Sequence, residues 1–327
     1  MLRSYFLTLF ASSVIFTTTG FGLEGFPVAL KALHPELEPN CATCHDIGAG
    51  VAPAAENLAS RGRVYYGELM AHEAALNAGL GTVEDVLTSV DFNVFGDTRT
   101  QADIHRQVVS AICAETPGMT LHTGDIVATG SDMSLWREAM QIEDCLLRTH
   151  LLKPACGNHE GSYCTNNPLR QALGNTTRYY VNEFKGLTFL ILDSNDIDRD
   201  QLTWLRALPV GPHYIPVFHH APYPTMAGHG PDAGVVQNFV PEFRRLGVRL
   251  AFNGHNHGYD RAVVDGVTYV SIGGGGAPLY PCGPARSYTQ FCMSDYSYVR
   301  CGITGSVVEC NTRRLSGEII DRFSATY

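Results

Sequence analysis

Five short motifs between residues 95 and 257 combine acidic, amide and imidazole side chains. Carboxylates, amide oxygens and imidazoles are ligands that suit iron, zinc, manganese and similar cations. The residues that carry this chemistry are Asp97, Asp125, Asn158 with His159, His220, and His255 with His257. One such motif alone is weak evidence, but five in this order indicate a binuclear metal site.

Each motif directly follows an apolar run that is typical of a β-strand, and these runs cover residues 90–96, 119–123, 151–156, 214–219 and 248–252. Helix-like amphipathic stretches separate most of them, at 104–114, 133–147, 201–208 and 235–246. This alternation favours a mostly parallel sheet packed by helices. More closely spaced strands at 179–184, 187–193, 261–264 and 267–272 predict a second sheet. Since ligands of open α/β sheets bind at the carboxyl ends of strands, we expect the motif residues to collect at one sheet edge.

The motifs resemble those of the calcineurin-like metallophosphoesterase superfamily, especially the branch related to purple acid phosphatases. The resemblance covers roughly residues 90–280 and rests on Phe-Gly-Asp-Thr-Arg (95–99), Gly-Asp (124–125), Gly-Asn-His-Glu (157–160), His-Ala-Pro-Tyr (220–223), Gly-His-Asn-His (254–257) and the glycine run 273–276 with Ala-Pro-Leu-Tyr after it. It implies an α/β fold, namely a four-layer α/β/β/α sandwich of two packed mixed sheets. The metal site would lie at the carboxyl ends of the strands.

The same resemblance implies a role for each motif residue. Asp97 and His257 would bind the first metal ion, Asn158, His220 and His255 the second, and Asp125 would bridge both. Two such ions, expected to be iron, zinc or manganese, would activate a hydroxide for in-line attack on a phosphate ester. His159 would donate a proton or a hydrogen bond to the leaving oxygen. We therefore expect a phosphohydrolase that prefers monoesters, while a phosphodiesterase or nucleotidase of the same superfamily is the alternative.

Two positions depart from the family pattern. Many members have a histidine two residues after the first aspartate, where this chain has Arg99, and purple acid phosphatases have a tyrosine where this chain has Ala128. The first ion would then lack one protein ligand. Because a guanidinium fits phosphate geometry, Arg99 is a candidate to bind the substrate phosphate. The alternative is a surface or salt-bridged arginine.

Two adjacent histidines, His219 and His220, compete for one ligand position. The family pattern places the ligand two residues before a proline, which is Pro222, and this selects His220. Strand alternation then predicts that the His219 side chain points to the opposite face. His122 and His229 are further candidates to line the pocket, and packing is the alternative role for both.

A separate motif, Cys41-x-x-Cys44-His45, has the pattern of covalent c-type haem attachment. The alternative is a local disulfide, or a pair bridged elsewhere, with His45 incidental. If haem is attached, this segment would make the protein a redox protein whose phosphoesterase domain is regulatory or inactive.

Composition and the N-terminal residues indicate the domain boundaries, the cellular compartment and the class of partner. Residues 1–22 predict a signal peptide, 23–89 a separate N-terminal segment with the Cys-x-x-Cys-His motif, and 90–327 the metallophosphoesterase domain. The ten cysteines, eight of them from Cys113 onward, favour an oxidising compartment and allow four disulfides there, so we expect a secreted or periplasmic protein. The four cysteines between residues 282 and 310 are expected to hold a C-terminal loop or hairpin. A net charge of −9 argues against nucleic-acid binding. No stable membrane span is expected; a small phosphate ester is the expected partner, and the oligomeric state is left open.

Overall fold

The computed structural model describes residues 90–115, 117–149, 151–211 and 213–327. The predicted signal peptide, the segment 23–89 and the haem candidates Cys41, Cys44 and His45 lie outside the described residues. Apart from Pro284–Phe291, the described residues belong to one compact unit. Within this described part, no helix has both the length and the apolar character that a membrane span requires.

Thirteen strands are found in the described residues: β1 (Phe92–Phe95), β2 (Met119–His122), β3 (Leu152–Pro154), β4 (Tyr180–Phe184), β5 (Leu187–Ile191), β6 (His213–Val217), β7 (Leu250–Asn253), β8 (Tyr259–Val264), β9 (Val267–Ile272), β10 (Thr289–Met293), β11 (Ser297–Thr304), β12 (Val307–Arg314) and β13 (Ile319–Thr326). One sheet has the order β13-β12-β11-β1-β2-β3, and the second has, within the larger unit, the order β8-β9-β7-β6-β5-β4. Strands β1, β2 and β3 are parallel neighbours, as are β5, β6, β7 and β9, while the remaining pairs in these two orders are antiparallel. Both sheets are therefore mixed.

The two sheets pack face to face through buried aromatic side chains. The ring of Phe92 on β1 lies edge-on to Phe189 of β5 and to Phe252 of β7, with centroids 5.2 and 6.2 Å apart. All three rings are fully buried. Edge-to-face aromatic pairs add about 0.5–1.5 kcal/mol beyond the area that they bury.

Helices cover the outer faces of both sheets. They are α1 (Ala102–Ala114), α2 (Met133–Ile142), α3 (Asp144–Arg148), α4 (Pro168–Ala172), α5 (Arg199–Ala207) and α6 (Ala233–Leu246), with a short 3-10 turn at Gly161–Tyr163. Trp136 of α2 packs with Val108 of α1 in one buried cluster beside the first sheet. Phe239 of α6 packs on Phe218, which follows β6. The predicted four-layer α/β/β/α sandwich is thus confirmed.

The predicted strands and helices agree with the structure except over residues 133–147, and α4, β10 and β11–β13 lie outside the predicted ranges. The five motif strands are found within two residues of their predicted ends. The single helix predicted over 133–147 is wrong, because it is broken at Glu143, whose backbone leaves the helical region (φ −86°, ψ 9°). The buried carboxylate of Glu143 lies 3.1 Å from Nε2 of His105 on α1, and this contact fixes the corner. The long antiparallel strands β11–β13 were anticipated only as a C-terminal loop or hairpin held by cysteines.

The eight cysteines of the described residues form four disulfides, in agreement with their even number. The pairs are Cys113–Cys145, Cys156–Cys164, Cys282–Cys292 and Cys301–Cys310. Cys301 and Cys310 are cross-strand partners of β11 and β12, so this disulfide holds the predicted hairpin. The Cys156–Cys164 disulfide closes the loop that contains the Gly-Asn-His-Glu motif.

Candidate metal centre

The candidate ligands all lie in loops that begin where a strand ends. Asp97 follows β1, Asp125 follows β2, Asn158 follows β3, His219 and His220 follow β6, and His255 and His257 follow β7. Because β1–β3 are parallel to one another, and β6 is parallel to β7, each sheet presents these loops at one edge. The structure brings the predicted residues of both sheets together there, in two groups of potential ligand atoms.

Three of these residues have an unusual backbone. Asp97, Asp125 and His255 adopt positive φ angles of 54°, 58° and 68°. Such angles are uncommon for residues with a side chain and cost on the order of 1 kcal/mol or more each. The backbone N–H of His255 donates to both carboxylate oxygens of Asp97, at 3.1 and 3.0 Å. The surrounding hydrogen bonds therefore hold a strained arrangement, as is often found at functional sites.

The first group, here called the His219 cluster, consists of His219, His220 and His255, with Asn158 and Asp125 against His219. Nε2 of His219 lies 2.9 Å from Asn158 Oδ1, 3.2 Å from His255 Nδ1 and 3.4 Å from Asp125 Oδ1. Nδ1 of His219 donates to the carbonyl oxygen of Thr123 at 3.0 Å. In the neutral tautomer that this bond selects, Nε2 carries no proton, so its lone pair faces the amide and carboxylate oxygens.

These distances fit one bound cation. Ligand atoms about 2.1 Å from a transition metal ion are about 3.0 Å apart at right angles and about 3.4 Å apart in a tetrahedron. The separations of 2.9–3.4 Å in the His219 cluster match that range. A cation would also replace repulsion between lone pairs with attraction to each of them. The residues present therefore fit a metal ion at this cluster.

The expectation that His219 faces away from the site is wrong. Strand β6 ends at Val217, so the alternation of side chains no longer applies at residue 219. The rings of His219 and His220 both approach His255, with centroids 4.9 and 4.5 Å apart. His220 Nδ1 lies 2.9 Å from Ser194 Oγ, which accepts the backbone N–H of both histidines. Both histidines therefore line the site, and the ring of His219 lies deeper in it.

The second group, here called the Asp97 cluster, consists of Asp97, Asp125 and His257 together with Arg99. His257 Nε2 lies 3.7 Å from Asp97 Oδ1. The guanidinium of Arg99 donates to Asp125 Oδ2 through Nε at 3.2 Å, and its Nη2 lies 3.2 Å from His257 Nε2. The predicted ligands of the first ion are therefore assembled, but an arginine lies against two of them.

Burial sets the charge state of these groups. It lowers the pKa of His219 well below its usual value, and the adjacent imidazole lowers it further. It lowers the pKa of His255 to about 2 and that of His257 to about 4. Burial, reinforced by a neighbouring carboxylate, raises the pKa of Asp97 well above its usual range. The imidazoles are thus neutral at neutral pH, which is the form that binds metal ions, and a bound cation would favour the charged form of Asp97.

Glu160 is a site residue that the sequence interpretation missed. Its buried carboxylate accepts the backbone N–H groups of Asp125, Ile126, Val127 and Gly157, at 2.6–3.2 Å. Burial, followed by repulsion from Asp125, raises the pKa of Glu160 to about 7. Glu160 therefore joins the loops that deliver Asp125 and Asn158. Its place in the Gly-Asn-His-Glu motif was the available signal.

His159 is held at the rim of the site. Its Nδ1 donates to the carbonyl oxygen of Ala128 at 2.8 Å, and its backbone N–H donates to Asp125 Oδ1 at 3.0 Å. Nε2 faces Asp125 Oδ2 at 3.8 Å, and 30% of the side chain is exposed. A group bound at the centre can therefore reach His159 Nε2 from solvent.

Two further rings cover the ligand histidines. His229 stacks on His255 with a centroid distance of 3.9 Å, and Tyr280 stacks on His257 at 4.2 Å. His229 therefore lines the pocket, whereas His122 is fully buried beneath it and contacts Thr98 Oγ1. Tyr280 was quoted only as part of the Ala-Pro-Leu-Tyr motif and was given no role at the site, because it is brought there only by the loop after β9.

Comparison with known proteins agrees with this geometry. The family described as calcineurin-like phosphoesterase matches residues 91–259, which is more than half of the chain. The chain belongs to the calcineurin-like phosphoesterase family. Its predicted superfamily is therefore confirmed. No curated protein matches the chain.

Solved structures share the fold of this calcineurin-like phosphoesterase at low identity. The purple acid phosphatase PPD1 from seeds of yellow lupin (Lupinus luteus) is 19% identical with a TM-score of 0.61, and the match covers 73% of this chain and 54% of the lupin protein. GAP50, the anchor in the inner membrane complex of Plasmodium, is 14% identical with a TM-score of 0.57, with 72% and 88% covered. This chain thus spans about half of the lupin protein, and the likeness concerns the fold.

Proposed function

We propose that this chain is an exported, metal-dependent hydrolase of phosphate esters that prefers monoesters. The observation that carries the proposal is the His219 cluster, where four potential ligand atoms from four separate loops converge at distances that fit one transition metal ion. Membership of the calcineurin-like phosphoesterase family supports the reaction type. Iron, zinc or manganese suits this mixture of imidazole, amide and carboxylate ligands.

Asn158, His219, His255 and Asp125 would hold the ion of this cluster, with His220 beside them. A bound ion of this kind supplies an activated water and offsets charge on the phosphoryl oxygens. Ser194 holds the backbone of His219 and His220 in place, because its hydroxyl oxygen accepts hydrogen bonds from both of their N–H groups. The choice of His219 as a ligand extends the predicted set, in which His220 had this role.

His159 would transfer a proton to the leaving oxygen. Its Nδ1–H is engaged by the Ala128 carbonyl, so Nε2 is the atom that would donate, and it does so from the imidazolium form, in which both ring nitrogens carry a proton. The ring would then be left neutral with its proton on Nδ1. The 30% exposure of the side chain allows an ester to approach from solvent. Positioned proton transfer of this type contributes about 10²–10⁴-fold to rate.

Hydrolysis of p-nitrophenyl phosphate by the purified, metal-loaded chain tests the activity, with bis(p-nitrophenyl) phosphate as the diester comparison. We expect turnover of the monoester that a chelator abolishes and that added metal restores. Turnover of the diester alone would replace monoester preference with a phosphodiesterase. Absence of both activities in protein that retains its metal would contradict the proposed function.

Export is supported by the apolar stretch at 5–16 and by four disulfides among the described cysteines. Expression of the full chain in a Gram-negative host, followed by fractionation and N-terminal sequencing, tests it. We expect processed protein in the periplasm with its thiols oxidised. Unprocessed protein confined to the cytoplasm would contradict export.

A further inference from the structure

We infer that the guanidinium of Arg99 takes the place of one of the two cations expected at this centre, so that the chain binds a single metal ion, in the His219 cluster. The inference rests on the metal centre of the proposed function and is independent of hydrolysis itself. It differs from the binuclear site predicted from the motifs, and the difference lies in the Asp97 cluster.

The guanidinium of Arg99 lies against two of the side chains that are expected to hold the first ion. Its Nε donates to Asp125 Oδ2 and its Nη2 lies against His257 Nε2, each at 3.2 Å. Asp125 and His257 are two of the three side chains that would hold the first ion. The Arg99 side chain is only 16% exposed, so it lies within the site and not on the surface.

The lone pair of His257 Nε2 is already engaged by Arg99. Nδ1 of this histidine donates to the carbonyl oxygen of Pro278 at 2.8 Å. The proton of the neutral ring is therefore on Nδ1, and Nε2 offers a single lone pair. That lone pair accepts from Arg99 Nη2, and it is the same one that a metal ion would need. One lone pair cannot serve both partners.

The charge of the centre also favours a single metal ion. Three carboxylates are buried here, those of Asp97, Asp125 and Glu160. A second divalent ion would add two positive charges beside an arginine that cannot lose its proton. Buried charge without compensation is strongly unfavourable, so the single-ion state is favoured.

Backbone hydrogen bonds hold the loop that carries Arg99 against the Asp97 cluster. Arg99 N–H donates to the Asp125 carbonyl at 3.2 Å. On the other side, the N–H of Ala277 donates to the Asp97 carbonyl at 2.7 Å. The loop that carries Arg99 is thus fixed between the β2 loop and the glycine run after β9. The arginine is built into the centre at the position where many family members have a histidine.

A fixed guanidinium retains part of what the missing ion would do. Nε and Nη2 are engaged by Asp125 and His257, and within the described residues the other side-chain N–H groups of Arg99 are open to contact with phosphoryl oxygens. The predicted phosphate contact of Arg99 is therefore compatible with its role as a cation substitute.

Metal stoichiometry tests the inference without reference to turnover. The full chain, stripped and reconstituted with Mn²⁺, is analysed by elemental analysis and by electron paramagnetic resonance. We expect one Mn²⁺ per chain, with the hyperfine pattern of an isolated ion. Arg99→His, which supplies an imidazole in place of the guanidinium, is expected to bind two ions and to show exchange coupling. Arg137→Ala, at an exposed arginine of α2, is the matched control and should bind one.

The outcomes separate this inference from the proposed function. Two coupled ions in the unmodified chain would overturn the inference and leave the hydrolase proposal intact, and this comparison does not depend on whether Arg99→His folds. A folded Arg99→His variant with only one ion would show that something other than Arg99 excludes the first cation, and would also overturn it. One ion without hydrolysis would uphold the inference and contradict the proposed function. No bound ion would contradict the metal centre and the inference with it.

Discussion

His219 Nε2 lies 2.9 Å from Asn158 Oδ1, although these two residues follow strands of different sheets. Two atoms that both offer electron pairs approach this closely when they share a cation. The Thr123 carbonyl fixes the tautomer of His219, and β3 fixes Asn158 through the loop after it. The candidate metal centre therefore lies where the edges of the two sheets meet, and each sheet supplies part of the candidate ligand set.

Replacement of His219 should remove the metal ion. His219→Ala deletes the most buried imidazole of the cluster, and we expect metal affinity to fall by more than about 100-fold, since even outer ligand partners contribute 10–100-fold. Elemental analysis after dialysis measures this. His220→Ala should retain more metal, and His213→Ala, at an exposed histidine on β6, should be unchanged. Full metal retention in His219→Ala together with loss in His220→Ala would restore the ligand choice made from the family pattern.

Replacement of His159 should slow turnover without loss of metal. His159→Asn removes the imidazole that would donate a proton from Nε2, and we expect kcat to fall by about 10²–10⁴-fold. His159 does not contribute one of the converging ligand atoms. The metal content of the His159→Asn variant should therefore match that of the unmodified chain. Steady-state kinetics on p-nitrophenyl phosphate and elemental analysis of the same sample check both parts. A kcat within twofold of the unmodified chain would remove His159 from the reaction.

Glycine at position 157 is required by the approach of two loops. A Cβ at Gly157 would lie 2.2 Å from both the backbone nitrogen and Oδ1 of Asp125. Gly157→Ala must therefore displace the β2 or β3 loop, and we expect loss of metal together with a lower melting temperature. Gly230→Ala, where an added methyl group meets open space, is the control. Equal metal content in the two variants would show that the loops can separate without loss of the centre.

Most of the centre could be predicted from the sequence because its ligands follow strands directly. Asp97, Asp125, Asn158 and the pair after β7 were located in this way, since apolar runs and motif order are local properties of the chain. The orientation of His219 could not be predicted in this way. The alternation of side chains between the two faces holds only within β6, which ends before residue 219.

Contacts between distant segments account for the rest. Arg99 meets His257 across 158 positions of sequence, and Tyr280 reaches that same ring only through the fold. Glu160 accepts four N–H groups from two loops, and its place in the Gly-Asn-His-Glu motif marks the residue but not its four partners. For a similar reason the sequence indicated only a loop or hairpin where β11–β13 lie, since β11 pairs with β1 from the other end of the domain.

Asp260 should make stability fall as pH rises, and it can be studied apart from the metal ligands. Burial raises the pKa of Asp260 from 3.8 to about 6, while its carboxylate accepts the N–H groups of Thr225 and Met226. Because the folded state binds the proton more tightly than the unfolded state, its stabilising contribution is complete below about pH 4 and declines up to about pH 6. The shift of about two pKa units corresponds to roughly 3 kcal/mol.

Asp260→Asn keeps an acceptor for both N–H groups and removes this titration. Urea unfolding between pH 4 and pH 7, measured on chelator-treated protein so that metal binding does not contribute, should show a weaker decline in the variant than in the unmodified chain. Asp103→Asn, at an exposed carboxylate of α1, is the control and should follow the unmodified chain. Parallel curves for Asp260→Asn and the unmodified chain would show that this carboxylate is already ionised in the folded protein at low pH.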